Sequence, residues 1–185
     1  LYPLFQDPWY FLQSSEPRYR LYNMLCRLHI VVLKVGSGRL KEGDITELMS
    51  LIGPNFALIE SGKVCGHLHL NQSARLAKKA HEGKYHLSKD RSTELLLYLT
   101  AQRQISKAIE IAGVNASTKT VAWVAFDQVP ARLSYLLEPD ESVISHTDFD
   151  YSTLGLDEDV LERLGFDEKQ KIVMTRTATL PVQSR

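Results

Sequence analysis

A chain of 185 residues with 44 % hydrophobic content can bury one sizeable core, and its 22 basic residues balance 22 acidic ones. Two cysteines exclude a disulfide framework and fit a reduced, cytoplasmic setting. The start lacks a basic stretch leading into an apolar run, and no apolar run approaches the ~20 residues of a membrane span, so neither a signal peptide nor a membrane partner is expected.

Residues 1–23, "LYPLFQDPWYFLQSSEPRYRLYN", hold three prolines and many aromatic residues without a clean period. Met24 stands just before the first convincing strand. We therefore expect 1–23 to be an appendage and 24–185 to be the folded domain. "CRLHIVVLKVG" (26–36) is rich in Val, Ile and Leu and reads as a buried strand ending at glycine. "EGDITELMSLIG" predicts a helix capped by Asp44, with Glu47 three residues on and Gly53 closing it. "NFALIE" (55–60) predicts a short strand.

From about His67 to Glu82 a helix is predicted, with Leu70, Ser73, Ala74, Ala77 and Ala80 on one face and Arg75, Lys78, Lys79 and Glu82 opposite. A leucine-rich helix follows, with Ser88 or Asp90 as its cap and Asp90 and Glu94 at the positive end of its dipole. Its run Leu95–Leu99 is apolar or aromatic at every position. At 100° per residue such a run goes right round the cylinder, so one core on one side does not cover it.

In "RQISKAIEIAGV" Ile105, Ala108, Ile109 and Ala112 recur at helical spacing, and Gly113 is placed to end that helix in the left-handed conformation. "KTVAWVAF" (119–126) predicts a strand. "VPARLSYLL" predicts a helix with Pro130 in its first turn. "DEDVLERLGF" and "DEKQKIVM" predict short acidic helices, and "TATLPV" a closing strand at a sheet edge. Strands and helices mix without strict βαβ alternation. That order predicts an α+β fold: a single mixed domain with a small, mainly antiparallel sheet packed against several helices.

Catalytic and cofactor motifs are weak. In "VGSGRLKEGD" the third glycine of a dinucleotide-binding loop would fall on Lys41, so Gly36 and Gly38 read as a plain turn and no cofactor is expected. Cys65, His67 and His69 form C-x-H-x-H. On a strand all three share a face; on a helix only Cys65 and His69 do, and no fourth ligand is evident. Asp148 and Asp150 lack the rest of a calcium loop. There is no G-x-S-x-G elbow. A metal-dependent enzyme using Cys65, His67 and His69 is an alternative reading, but a non-enzyme is expected.

Charge is unevenly spread. Between Arg75 and Lys107 lie Arg75, Lys78, Lys79, Lys84, Lys89, Arg91, Arg103 and Lys107, opposed only by Glu82, Asp90 and Glu94. Tyr85, His81 and His86 lie among these cations and are of types that stack on unpaired bases. The combination points to a single-stranded RNA surface, with a stand-alone RNA-binding module as one alternative function.

The run 88–113, "SKDRSTELLLYLTAQRQISKAIEIAG", resembles the signature of the small kinase-binding subunit of the KEOPS complex, the PRPK-binding protein family. Arg103, Gln104, Ile105, Ser106, Ala108, Ile109 and Gly113 carry the match. "GHLHLNQSARLAKKA" resembles that family's preceding helix and "IVMTRTATLPV" its closing strand, and the likeness spans roughly 26–183. The resemblance implies a non-enzymatic subunit that binds an atypical kinase, itself mainly an ATPase. It further implies contact with tRNA through the 3′ CCA end, in a complex that installs threonylcarbamoyl on the adenosine beside the anticodon. On this reading Leu96, Leu99, Gln104, Ile105 and Ile109 face the kinase, and the eight cations face tRNA.

Overall fold

The strand β1 (Lys34–Leu40) runs straight through the segment expected to turn at Gly36 and Gly38. Room explains those glycines. A Cβ on Gly36 would lie 2.5 Å from the Trp123 ring, and one on Gly38 would meet the Glu138 carbonyl. β1 pairs antiparallel with β3 (Thr120–Ala125), Gly36 opposite Trp123, and with β4 (Leu137–Pro139), Gly38 opposite Pro139. β2 (Phe56–Glu60) pairs antiparallel with the other side of β3, so the sheet order is β2-β3-β1-β4.

This computed structural model describes residues 33–41, 45–144 and 149–180. The appendage expected at 1–23, the start of the strand expected at 26–36, the Asp44 cap and Asp148 lie outside them. Within the described residues the fold is α+β, as the order of elements predicts.

Alternation along the strands buries both faces of the sheet. Phe56, Leu58, Val121 and Ala125 point to one side, where they meet Ile45 and Leu48 of α1 (Ile45–Met49) and Leu133 of α5 (Leu133–Leu136). α5 begins three residues after Pro130, whose carbonyl accepts from the Leu133 N–H. Ala57, Ile59, Ala122 and Val124 are buried on the other side.

The remaining helices are α2 (Gly66–Glu82), α3 (Arg91–Thr100), α4 (Ile105–Ala112), α6 (Glu158–Leu161) and α7 (Phe166–Ala178). The buried stripe of α2 is the one its spacing predicts: Leu70, Ser73, Ala74, Ala77 and Ala80. Small residues on that stripe let α3 approach closely. α3 packs against α2, α4, α7 and β2.

Two chain reversals differ from expectation. Gly113 ends α4 in an extended conformation, φ −70° and ψ 149°, with its N–H donated to the Ile109 carbonyl. Ala101, after α3, is left-handed instead, φ 50°. It belongs to a buried apolar cluster with Cys65, Phe149, Leu154 and Val173, to which a glycine would bring no side chain.

The closing strand is also overturned: Thr177 and Ala178 are helical, and 179–180 form a turn. Thr175, Thr177 and Thr179 favour strand by their branching, yet tertiary contacts outweigh propensity here. Val173 and Thr177 bury one turn apart, and Gln72 of α2 donates to the Met174 carbonyl at 2.6 Å and to Thr177 Oγ1 at 3.0 Å. At the other end Glu168 accepts from the Gly165 N–H at 3.0 Å.

Enclosure of α3 makes a measurable difference between helices. Leu97→Ala should lower unfolding free energy by roughly 2–5 kcal/mol. Ile109→Ala, on the exposed shoulder of α4, should change it by under about 1 kcal/mol. Urea denaturation of both variants checks this; equal losses would show that α3 is not the buried centre.

Candidate functional site

The circumference of α3 is closed. Leu95, Leu97, Tyr98 and Leu99 are at most 2 % exposed and Leu96 is 9 % exposed. The expectation that Leu96 and Leu99 face a kinase is therefore corrected: α2, α4, α7 and β2 already surround this helix. A partner reaching either side chain would have to displace the molecule's own core.

α4 behaves differently, and the reason lies in side-chain size. Ala108 and Ala112 are fully buried against the body, which brings the helix close. Ile105 and Ile109, one turn apart, sit about 60–100° round the cylinder from Ala108 by helical geometry. They remain 40 % and 48 % exposed. Gln104, the N-cap residue, is exposed too and makes no side-chain cap bond. Of the five residues expected to face the kinase, Gln104, Ile105 and Ile109 form one accessible ledge.

The eight cations do not form one stripe. Arg75 and Lys79 lie on the exposed side of α2, while Lys78 is half-buried and pairs with Glu82 at 3.6 Å. Lys84 takes the left-handed conformation, φ 57°, and turns the chain after α2. Lys89 is exposed in the following loop, and half-buried Arg91 opens α3 beside His81. Arg103 and Lys107 are exposed beyond the other end of α3, a helix of ten residues or ~15 Å. Most of the cations thus gather along α2 and its loop, and Arg103 and Lys107 stand apart.

His81 and His86 stack on each other, ring centres 4.4 Å apart and planes 10° apart, and not outward as an RNA-stacking pair would. Burial, then the neighbouring His86 and Arg91, hold His81 below its ordinary pKa. His86 Nδ1 lies 2.9 Å from the Ser88 carbonyl. Tyr85 keeps an exposed ring. The loop is pinned from beneath by Glu94, read from sequence as a dipole partner but 1 % exposed. Its Oε2 accepts from the Leu87 and Ser88 N–H groups at 2.9 and 2.7 Å. Burial pushes its carboxyl up, and the two donors pull it back.

The Cys65/His67/His69 set does not converge. His69 is fully buried, its Nδ1 accepting from the Cys65 backbone N–H at 3.0 Å and its Nε2 lying 3.1 Å from the Leu99 carbonyl. Nδ1 must therefore be the bare nitrogen and Nε2 the donor, so neither has a lone pair left for a metal. His67 lies half-exposed toward Glu141 at 3.8 Å. Burial pushes the Cys65 thiol up, against a hydrogen bond with Tyr151, whose own hydroxyl is pushed up to about 12. Among the described residues no group of three or more His, Cys, Asp or Glu is placed to hold a metal. The spacing fits because His69 ties the start of α2 to the end of α3.

Among the described residues no helix is long and apolar enough to cross a membrane. A family model described as kinase binding protein CGI-121 matches residues 43–175, well over half of the chain. No curated protein matches it.

Burial lowers His69 from 6.5 to about 4. The unfolded chain takes up the proton first as pH falls, so the stabilisation is complete above about pH 6.5 and is lost toward pH 4. The loss should reach at most ~3 kcal/mol. Denaturant titrations between pH 7 and 4 should show this slope in the native chain and a flatter one in His69→Gln. Equal slopes would show that His69 does not set the pH dependence.

Proposed function

This chain belongs to the CGI-121 family of kinase-binding proteins, and from that premise we propose that it is the non-catalytic subunit through which the KEOPS complex holds its atypical kinase and recruits tRNA for threonylcarbamoyl modification beside the anticodon. The observation that carries the kinase half is the α4 ledge. A helix that leaves two isoleucines open one turn apart, beside an exposed glutamine, offers the apolar centre of a docking patch. A specific complex needs about 800 Å² from each partner, so the ledge would be the centre and not the whole interface. Placing the contact here also leaves α3 intact.

The tRNA half rests on the cations along α2 and its loop, with exposed Tyr85 among them as a surface on which an unpaired base of the 3′ CCA end can stack. Arg103 and Lys107 lie by the α4 ledge, so within this reading they sit between the kinase and the RNA. If tRNA binds and the kinase does not, the chain is a stand-alone single-stranded RNA module.

A pull-down with the cognate kinase is the direct test. Ile105→Glu with Ile109→Glu should abolish capture while unfolding free energy shifts by under about 1 kcal/mol. Leu96→Glu should unfold the protein outright. Retained capture by the folded double variant would refute the ledge. For RNA, Lys79→Glu with Lys89→Glu should weaken tRNA binding and lower the slope of log affinity against log salt by about 0.7 for each phosphate that is no longer neutralised. Trimming the CCA end should weaken native binding comparably and leave the variant little changed; unaltered affinities throughout would reduce the cations to solvated surface.

A further inference from the structure

The apolar floor of a groove between α2 and α7 is used by neither half of that reading, although two of its rim cations, Arg75 and Lys79, are among those on which the tRNA half rests. Two depressions of about 390 and 470 Å³ run together in it, sharing Leu68 and Met174. Leu68, Asn71, Gln72, Arg75, Leu76 and Lys79 form its α2 wall, at the i, i+3, i+4, i+7, i+8 and i+11 positions of one helical face. The α7 wall repeats the same spacing from Asp167 to Ala178. Each wall is thus a helical stripe some ~17 Å long, the length of three turns.

Its floor is apolar, built on Leu68, Leu76, Met174 and Ala178, and two of its amides are engaged within the protein. Leu68 is 55 % exposed, an open leucine in the first turn of α2. The Asn71 amide donates to the His67 carbonyl at 3.0 Å, and the Gln72 amide to Met174 and Thr177. Its rim is basic: Arg75, Lys79 and Lys171 are exposed, against Asp167 at one end.

We propose that this groove receives an acidic amphipathic helix from a protein partner, its aliphatic side chains on Leu68 and Met174 and its carboxylates toward Arg75, Lys79 and Lys171. The charge of the rim selects an acidic occupant. The floor of Leu68, Leu76, Met174 and Ala178 suits aliphatic side chains, and the Gln72 amide, which could have read a base edge, is already engaged by α7. Two parallel stripes of three turns suit a helix with anchors at i, i+3 or i+4, and i+7.

The test uses the full chain and a fluorescent 15-residue helical peptide with leucines at i, i+4, i+7 and i+11 and glutamates on the flanks. A serine-for-leucine peptide, a lysine-for-glutamate peptide and a single-stranded RNA oligonucleotide serve as comparisons. The acidic peptide should bind and the two control peptides should not. Leu68→Glu and Met174→Ser should each weaken binding about tenfold or more. Arg75→Glu with Lys79→Glu should weaken it and remove most of its salt dependence. Ile105→Glu should leave it unchanged, which separates this groove from the α4 ledge. Absence of peptide binding, or binding indifferent to Leu68→Glu in a folded variant, overturns the proposal. So does displacement of the peptide by the oligonucleotide together with loss of oligonucleotide binding in a folded Leu68→Glu variant, which would make the groove an RNA surface.

Discussion

A helix that is apolar around its whole circumference has no face to show to water, and every neighbour of α3 answers that constraint. α2 brings a stripe of alanines, which allows close approach. α4 brings two more alanines from the next turn of chain, α7 closes a third side, and the sheet closes the last through β2. Burying the five side chains Leu95–Leu99 fully contributes roughly 1.5–3 kcal/mol for each large one. Among the described helices no other carries five consecutive apolar residues.

The same enclosure determines where partners can bind. A centre completed by its own chain leaves contact sites at its periphery, on the shoulders of the helices that cover it. α4 shows this plainly: alanines face inward, and isoleucines, too large for the space beneath, are left at the edge. Its exposed ledge is a by-product of how closely the helix seats. The α2 wall shows it too, with cations and Leu68 facing away from the buried alanines.

Polar groups lock the cover in place. His69 joins the first turn of α2 to the last of α3 through both ring nitrogens, and Glu94 holds the loop between the two helices at their other end. One residue fixes each end of the hairpin. Both groups are buried and bonded to backbone, His69 through both ring nitrogens and Glu94 through Oε2, so each acts as a structural clamp.

Much of this was legible in the residues themselves. The spacing of Leu70, Ser73, Ala74, Ala77 and Ala80 sets the inner face of α2, the short apolar run in 119–126 sets β3, and the signature across 88–113 identifies the kinase-binding family before any fold is known. Such patterns are local: they need only a helix or strand and a nearby core. Tertiary structure decided the rest. Gly36 reads as a turn until Trp123 is seen lying across it, and Thr177 and Ala178 read as the start of a closing strand until Gln72 and the burial of Thr177 hold them as helix. Leu96 and Leu99 read as surplus until α4 and α7 cover them. In each case the deciding partner lies outside the local pattern, most often tens of residues away, and what a side chain touches there depends on shape and packing that periodicity does not encode.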